Sequence, residues 1–305
     1  MSTETLHTVR DFIRYAITRF EQGNVFYGHG TDNASDEAVA LIGGWLRLPM
    51  ESFGQFLDCK LTAEEKKTLS GLIDQRVIQR VPVPYLTQRA WFSGLEFEID
   101  ETALIPRSPI AELIGNQFSP WVDPDQVTSI LDLCTGGGCI AIACNYAFPD
   151  ATVEASDLSE KALTLAKKNC SRHQANIKLT QSDLFTEVSK GPFDIIVSNP
   201  PYVGDAEIST LPEEYHHEPR MALFSEHNGL QIPVKIMADA ANYLNPEGIL
   251  VLEVGNSKEI LEQAFPDIPF LWIDFEHGGD GVLLMTQEEL TSFQPLFDQY
   301  NSSHN

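Results

Sequence analysis

The sequence predicts an α/β protein: a doubly wound, mostly parallel sheet preceded by a small helical domain and a β-hairpin linker. Three observations predict it. From about residue 128, short β-branched runs alternate with helical segments, the pattern of a parallel sheet covered on both faces. The first eighty or so residues instead carry apolar side chains at helical spacing. Between them, the stretch Trp91-Phe92-Ser93-Gly94-Leu95-Glu96-Phe97-Glu98 alternates around a glycine, as a hairpin does.

The elements follow in order. In residues 1–85, Leu6, Val9, Phe12, Ile13, Ala16, Ile17 and Phe20 mark one helix face. Ser35-Asp36-Glu37 reads as a helix start before Ala38 to Leu46. Thr62-Ala63-Glu64-Glu65 is a capping box before Leu69, Leu72 and Ile73. The prolines of Val81-Pro82-Val83-Pro84-Tyr85 are expected to break helix and form a linker. Residues 86–103 hold the hairpin. In residues 104–305, seven strands are expected: Ser129–Leu133, Thr152–Ser156, Ile177–Thr180, Asp194–Val197, Ile249–Val254, Phe270–Phe275 and Gly281–Thr286. The last two are close enough to be antiparallel. Helices begin at Cys139, run from Ser159 to Cys170 behind a serine cap, and run from Leu230 to Leu244. Residues 299–305 are expected to fray.

Composition narrows the function. Twenty basic against 44 acidic residues give a net charge of −24. That balance opposes a phosphate backbone, so direct DNA binding is not expected; it suits a small molecule or a basic protein partner. No apolar run approaches the roughly 20 residues of a membrane helix, and the N-terminus lacks a basic stretch followed by an apolar one, so a cytoplasmic protein is expected. None of the five cysteines forms a C-x-x-C pair, and of eight histidines only His216 and His217 are adjacent. No metal site is expected.

The first predicted strand runs into Asp132-Leu133-Cys134-Thr135-Gly136-Gly137-Gly138, a turn that lets backbone approach a ligand. The second ends at Asp157, where such folds hold a ribose hydroxyl pair. The third leads to Asp183, placed to accept from an adenine amino group. These three strand ends describe an adenosine-shaped site. A dinucleotide wants glycine where Cys134 stands, and Asp132 would repel a pyrophosphate. A carboxylate beside a sulfonium and an ammonium is attractive, which favours S-adenosylmethionine.

The fourth strand exits through Asn199-Pro200-Pro201-Tyr202, a stiff loop beside the expected methyl donor. An NH₂ conjugated to a carbonyl or a ring is a poor nucleophile. The Asn199 side-chain oxygen and the Pro200 carbonyl are suited to accept its two hydrogens and aim it at the methyl. Tyr202 is expected to pack on the substrate's flat face. These two motifs resemble those of the S-adenosylmethionine-dependent amino-group methyltransferases. Leu104-Ile105-Pro106-Arg107-Ser108-Pro109 and Glu218-Pro219-Arg220-Met221-Ala222-Leu223 resemble the protein-glutamine N5-methyltransferase family. Tyr85 to Phe92 and Glu276 to Gly281 resemble its subgroup for the third large-subunit ribosomal protein, uL3, more than the release-factor subgroup, which usually has Pro-Arg-Pro-Asp-Thr at positions 106–110.

The resemblance implies a Rossmann-like, seven-stranded class I methyltransferase sheet, a helical substrate-recognition domain over residues 1–85 and a basic ribosomal protein substrate. It implies that Asn199, Pro200, Pro201 and Tyr202 bind the glutamine amide, with Asn199, Pro200 and Tyr202 catalytic. It implies that Pro106, Arg107, Asp132, Cys134, Thr135, Gly136, Gly138, Asp157, Leu158, Asp183, Leu184 and Asn199 line the cofactor site. Three rivals stand beside it: the release-factor enzyme, a nucleic-acid adenine or guanine N-methyltransferase that flips its base, and a non-enzymatic scaffold that docks on the ribosomal protein.

Overall fold

The computed structural model describes residues 5–304. Its helical domain contains α1 (Val9–Gly23), α2 (Ala34–Leu46) and α3 (Ala63–Ile78). Thr8 and Thr62 cap α1 and α3 through complete capping boxes with Asp11 and Glu65, which satisfy end donors that would otherwise stay unpaired. Phe12, Ala16, Phe20, Leu41, Ile42, Leu69 and Ile73 form the centre of this domain.

The expected linker is instead a short helix, α4 (Val83–Thr87), with proline in its first turn. Proline's missing N–H is no loss there, which the reading of the prolines as breakers overlooked. Val83, Pro84 and Tyr85 are buried, and the Tyr85 hydroxyl donates to the Ala103 carbonyl at 2.8 Å. The hairpin pairs β1 (Arg89–Phe92) with β2 (Leu95–Glu98). Ser93 and Gly94 both have positive φ, as a two-residue hairpin turn requires.

After α5 (Ile110–Gly115) come β3 (Ser129–Leu133), α6 (Cys139–Ala147), β4 (Thr152–Asp157), α7 (Glu160–His173), β5 (Ile177–Gln181) and β6 (Phe193–Ser198). Two short helices, α8 (Asp205–Ile208) and α9 (Arg220–Leu223), precede α10 (Gln231–Ala240), β7 (Leu244–Glu253), α11 (Lys258–Ala264), β8 (Leu271–Trp272), β9 (Val282–Thr286) and α12 (Gln287–Ser303). The seven-stranded sheet has the order β5-β4-β3-β6-β7-β9-β8, with β9 antiparallel to β7 and β8 antiparallel to β9. Along β3, β6 and β7, Ile130, Ile195, Val197 and Val251 face one core while Leu131, Ile196 and Leu252 face the other. Both faces are covered, so the strands are apolar on both sides.

Several expected boundaries move. The helix expected through Leu244 ends at Ala240, and β7 starts at Leu244, ahead of Asn245-Pro246-Glu247-Gly248; the β6–β7 register shifts between Phe193 and Ile195. The expected strand Phe270–Phe275 is a strand only at Leu271 and Trp272, followed by one further bond from the Ile273 N–H to the Val282 carbonyl at 3.0 Å. The expected frayed tail is helical to Ser303, because α12 starts with a capping box at Thr286 and buries Leu290 and Phe297. Asn305 lies outside the described residues. No helix among the described residues is long and apolar enough to cross a membrane.

The helical domain is joined to the sheet domain by residues 213–218. Arg76, 1% exposed, donates to Glu37 at 2.6 Å, to the Phe26 carbonyl at 2.6 Å and to Glu214 at 3.0 Å. The His217 ring nitrogen meets the Gln79 carbonyl at 2.7 Å, and the Tyr215 ring lies 4.6 Å from that of His29.

Candidate active site

A cavity of about 360 Å³ opens at the carboxyl ends of β3, β4 and β6, the place where doubly wound sheets hold ligands. Pro106, Arg107, Cys134, Thr135, Gly136, Asp157, Leu158, Asp183, Leu184, Asn199 and Pro201 all line it. Residues up to 95 positions apart in the chain thus meet at one cavity.

The turn after β3 alternates into left-handed backbone at Cys134 (φ 58°), Gly136 (φ 54°) and Gly138 (φ 83°). A side chain at Gly138 would press on Ala166 of α7 at 3.2 Å, so this glycine serves helix packing and is not on the cavity wall. Asp132 is also off the wall. It is fully buried beneath the turn, where Oδ2 accepts the Thr135 hydroxyl at 2.5 Å and the Ala141 N–H at 3.0 Å. It therefore braces the turn against the start of α6. Burial pushes its carboxyl up to about 7, against the pull of those hydrogen bonds. Burial likewise raises the Cys134 thiol, which stays protonated.

Asp157 lies at the end of β4, with Oδ2 accepting from the Gly136 N–H and Oδ1 from the Ser159 N–H, both at 2.8 Å. Each oxygen keeps a free lone pair for the cavity. Burial outweighs these bonds and raises its carboxyl above the ordinary range. Asp183 is exposed at the rim and makes no side-chain hydrogen bond among the described residues. The Ser156 hydroxyl, on the cavity wall, and Asp132 Oδ1 are buried without partners. Unpaired acceptors, an open glycine turn and an apolar wall including Ile140 and Leu158 fit an adenosine-bearing, cationic ligand.

Opposite, the Ser198 hydroxyl donates to the Leu133 carbonyl at 2.8 Å and ties β6 to β3. Asn199 follows it into the cavity. Among the described residues, neither its side chain nor the Pro200 carbonyl has an intramolecular hydrogen-bond partner. Tyr202, expected to pack on the substrate, is not on the cavity wall. Its ring lies against Gly255, and its hydroxyl donates to Glu253 at 2.9 Å, so it anchors the loop from behind. Pro200 is buried, and its ring is likewise off the cavity wall.

Arg107 is on the wall, yet its guanidinium is engaged: Nη1 and Nη2 grip Glu218 at 2.6 and 2.7 Å. Glu218 also accepts the Ile105 N–H at 3.1 Å and lies 3.5 Å from His29. Burial opposes the charge of Glu218, but His29 and Arg107 outweigh it and hold the carboxyl at about 2. The role of Glu218 has no signature in the sequence, because an ion pair across 111 residues leaves no local pattern. Ser108 and Met221, which stand in the two resemblance motifs without an expected role, line the cavity, as does Phe224; Glu253 is a lone charge at the carboxyl end of β7. A second cavity of about 310 Å³ lies between α2, α4 and β1, and Pro106 stands in the walls of both.

A family model described as "Methyltransferase small domain" matches residues 119–217. A ribosomal protein uL3 glutamine methyltransferase from Francisella tularensis is 46% identical over 298 residues, covering 97% of this chain and 95% of that protein. A protein of the same name from Neisseria gonorrhoeae is 44% identical over 293 residues, covering 95% and 97%. Among solved structures, the hMettl16 catalytic domain in complex with MAT2A 3′UTR hairpin 1 matches 90% of this chain and 91% of that one, with a TM-score of 0.51 and 12% identity; that likeness concerns the fold alone.

Proposed function

We infer the function from one premise: the chain belongs to the family of ribosomal protein uL3 glutamine methyltransferases. The reaction we propose is transfer of a methyl group from S-adenosylmethionine to the side-chain amide nitrogen of a glutamine in ribosomal protein uL3. Asp157 would hold the ribose hydroxyls, Asp183 the adenine amino group, and the backbone of residues 134–137 the amino-acid end. The cofactor supplies a methyl group on a positively charged sulfur. The partly ionised Asp132 beneath the turn adds negative potential there.

The observation that carries the reading is the pair of free acceptors at the end of β6, the Asn199 side-chain oxygen and the Pro200 carbonyl. An amide nitrogen has two hydrogens, and each acceptor takes one. The bonds fix the nitrogen's approach and strengthen as the amide loses planarity, so they favour the transition state over the ground state. The methylated nitrogen is acidic and sheds one proton, so no strong base is required. Arg107, neutralised by Glu218, shapes the wall without placing a net charge beside a cationic donor.

The net charge of −24 supports a basic protein as substrate and opposes the nucleic-acid rival. Pro106, shared between the two cavities, supports a role for the helical domain in recognising the chain around the glutamine. This reading puts the enzyme in the cytoplasm, where ribosomal proteins are made. The test is mass spectrometry of purified uL3 after incubation with enzyme and cofactor. Gain of one methyl group on one glutamine is expected; gain on a release factor alone would select the alternative substrate, and gain on neither would end the proposal.

A further inference from the structure

We propose that Glu253 is a positioning residue for methyl transfer, joining the Asn199–Tyr202 loop to the Pro106–Ser108 segment on the other side of the cavity. This rests on the reading above, in which Asn199 and Pro200 hold the reacting amide. Glu253 ends β7, beside the end of β6, where Ser198 pairs with Leu252. Its Oε1 accepts the Tyr202 hydroxyl at 2.9 Å, and its Oε2 accepts the Ser108 hydroxyl at 2.5 Å. Ser108 lines the cavity and Tyr202 lies three residues beyond Asn199. One carboxylate therefore ties both walls to the rigid centre of the sheet.

The site is costly to keep, which argues that it serves more than stability. Glu253 is 5% exposed and forms no salt bridge among the described residues; the nearby Arg107 is taken by Glu218. A carboxylate buried without a paired cation is unfavourable, and apolar residues fill the rest of β7's inner positions. The rest of Tyr202 is held as firmly. Ser257 donates its hydroxyl to the Tyr202 carbonyl at 2.7 Å, and a side chain at Gly255 would strike the Tyr202 ring at 2.5 Å. What remains adjustable is the spacing between the loop and the opposite wall, and Glu253 sets it. In-line transfer is sensitive to displacements near 1 Å, which cost roughly 100-fold in rate.

Tyr202→Phe and Ser108→Ala each delete one hydroxyl with little change of shape. Each is expected to lower kcat about three- to tenfold while the cofactor Kd stays within about twofold. Glu253→Ala is expected to lower kcat about 30-fold or more, and Glu253→Gln, which keeps an acceptor, to recover most of that. Tyr202→Phe added to Glu253→Ala should change kcat less than about twofold, since its partner is already gone. Amide hydrogen exchange at Val203, whose N–H donates to the Leu223 carbonyl at 2.8 Å, gives a readout independent of turnover and of the substrate's identity. It should accelerate in Tyr202→Phe and in Glu253→Gln. Unchanged exchange in both variants overturns the proposal, as does a Tyr202→Phe effect that persists in full without Glu253, or a loss that appears in cofactor Kd alone. A wild-type enzyme that methylates no glutamine defeats the proposed function, while the exchange result still decides the role of Glu253.

Discussion

Replacing Glu218 by glutamine should destabilise the protein by roughly 3–4 kcal/mol at neutral pH. Two routes give that figure. Removing one member of a buried ion pair costs about 3–5 kcal/mol, and Arg107 can recover part of its hydration because its side chain is 24% exposed. Independently, the Glu218 carboxyl is held at about 2 against an ordinary 4.5. At about 1.4 kcal/mol per pH unit, that difference is worth roughly 3 kcal/mol. A depressed value means that the folded state prefers the ionised form. The stabilisation is therefore complete above pH 4.5 and is lost as the pH falls towards 2. Urea denaturation followed by tryptophan fluorescence, for wild type and variant, tests both statements. The gap between them should be full at pH 7 and smaller by roughly 2 kcal/mol at pH 3. A gap below about 1 kcal/mol at pH 7, or one that does not narrow on acidification, would refute the reasoning.

Asn199→Ala should leave cofactor affinity within about twofold by calorimetry and lower kcat about 100-fold, because in the proposed arrangement its amide would hold the substrate rather than the donor. Asp157→Ala should weaken cofactor binding by roughly 1–3 kcal/mol in the same assay, through the loss of a charged acceptor and of the bond that steadies Gly136. Two alanine replacements should differ in sign. At Gly229 (φ +94°) a new Cβ would lie 2.0 Å from the Tyr202 carbonyl oxygen, so the variant should lose more than about 3 kcal/mol or fail to fold. At Gly71, on the exposed side of α3 with nothing within 4 Å, alanine should add about 0.5–1 kcal/mol to stability in thermal melts.

Features written in short range were legible in the sequence. The glycine turn, Asp157, Asp183 and Asn199 each lie at or just past the end of a strand, and parallel strands bring such ends to one edge. The capping boxes at Thr62 and the hairpin turn at Ser93-Gly94 likewise need only neighbours. What escaped depends on partners far along the chain. Tyr202 reads as a substrate platform until Glu253, 51 positions later, is seen to claim its hydroxyl. Asp132 reads as a ligand contact until α6 folds over it. Pro82 and Pro84 read as breakers because the start of a helix tolerates what its interior rejects.

The docking of residues 213–218 means that the two hydrophobic centres share one set of charges. Cutting the chain near residue 80 and discarding the amino-terminal piece would strip Glu214 of Arg76 and Tyr215 of its ring contacts with Phe26 and His29. The remainder would carry a newly bared acidic and aromatic scar directly downstream of the Asn199–Tyr202 loop. The catalytic half is thus no free-standing module, and heat or denaturant should melt both halves in a single cooperative step.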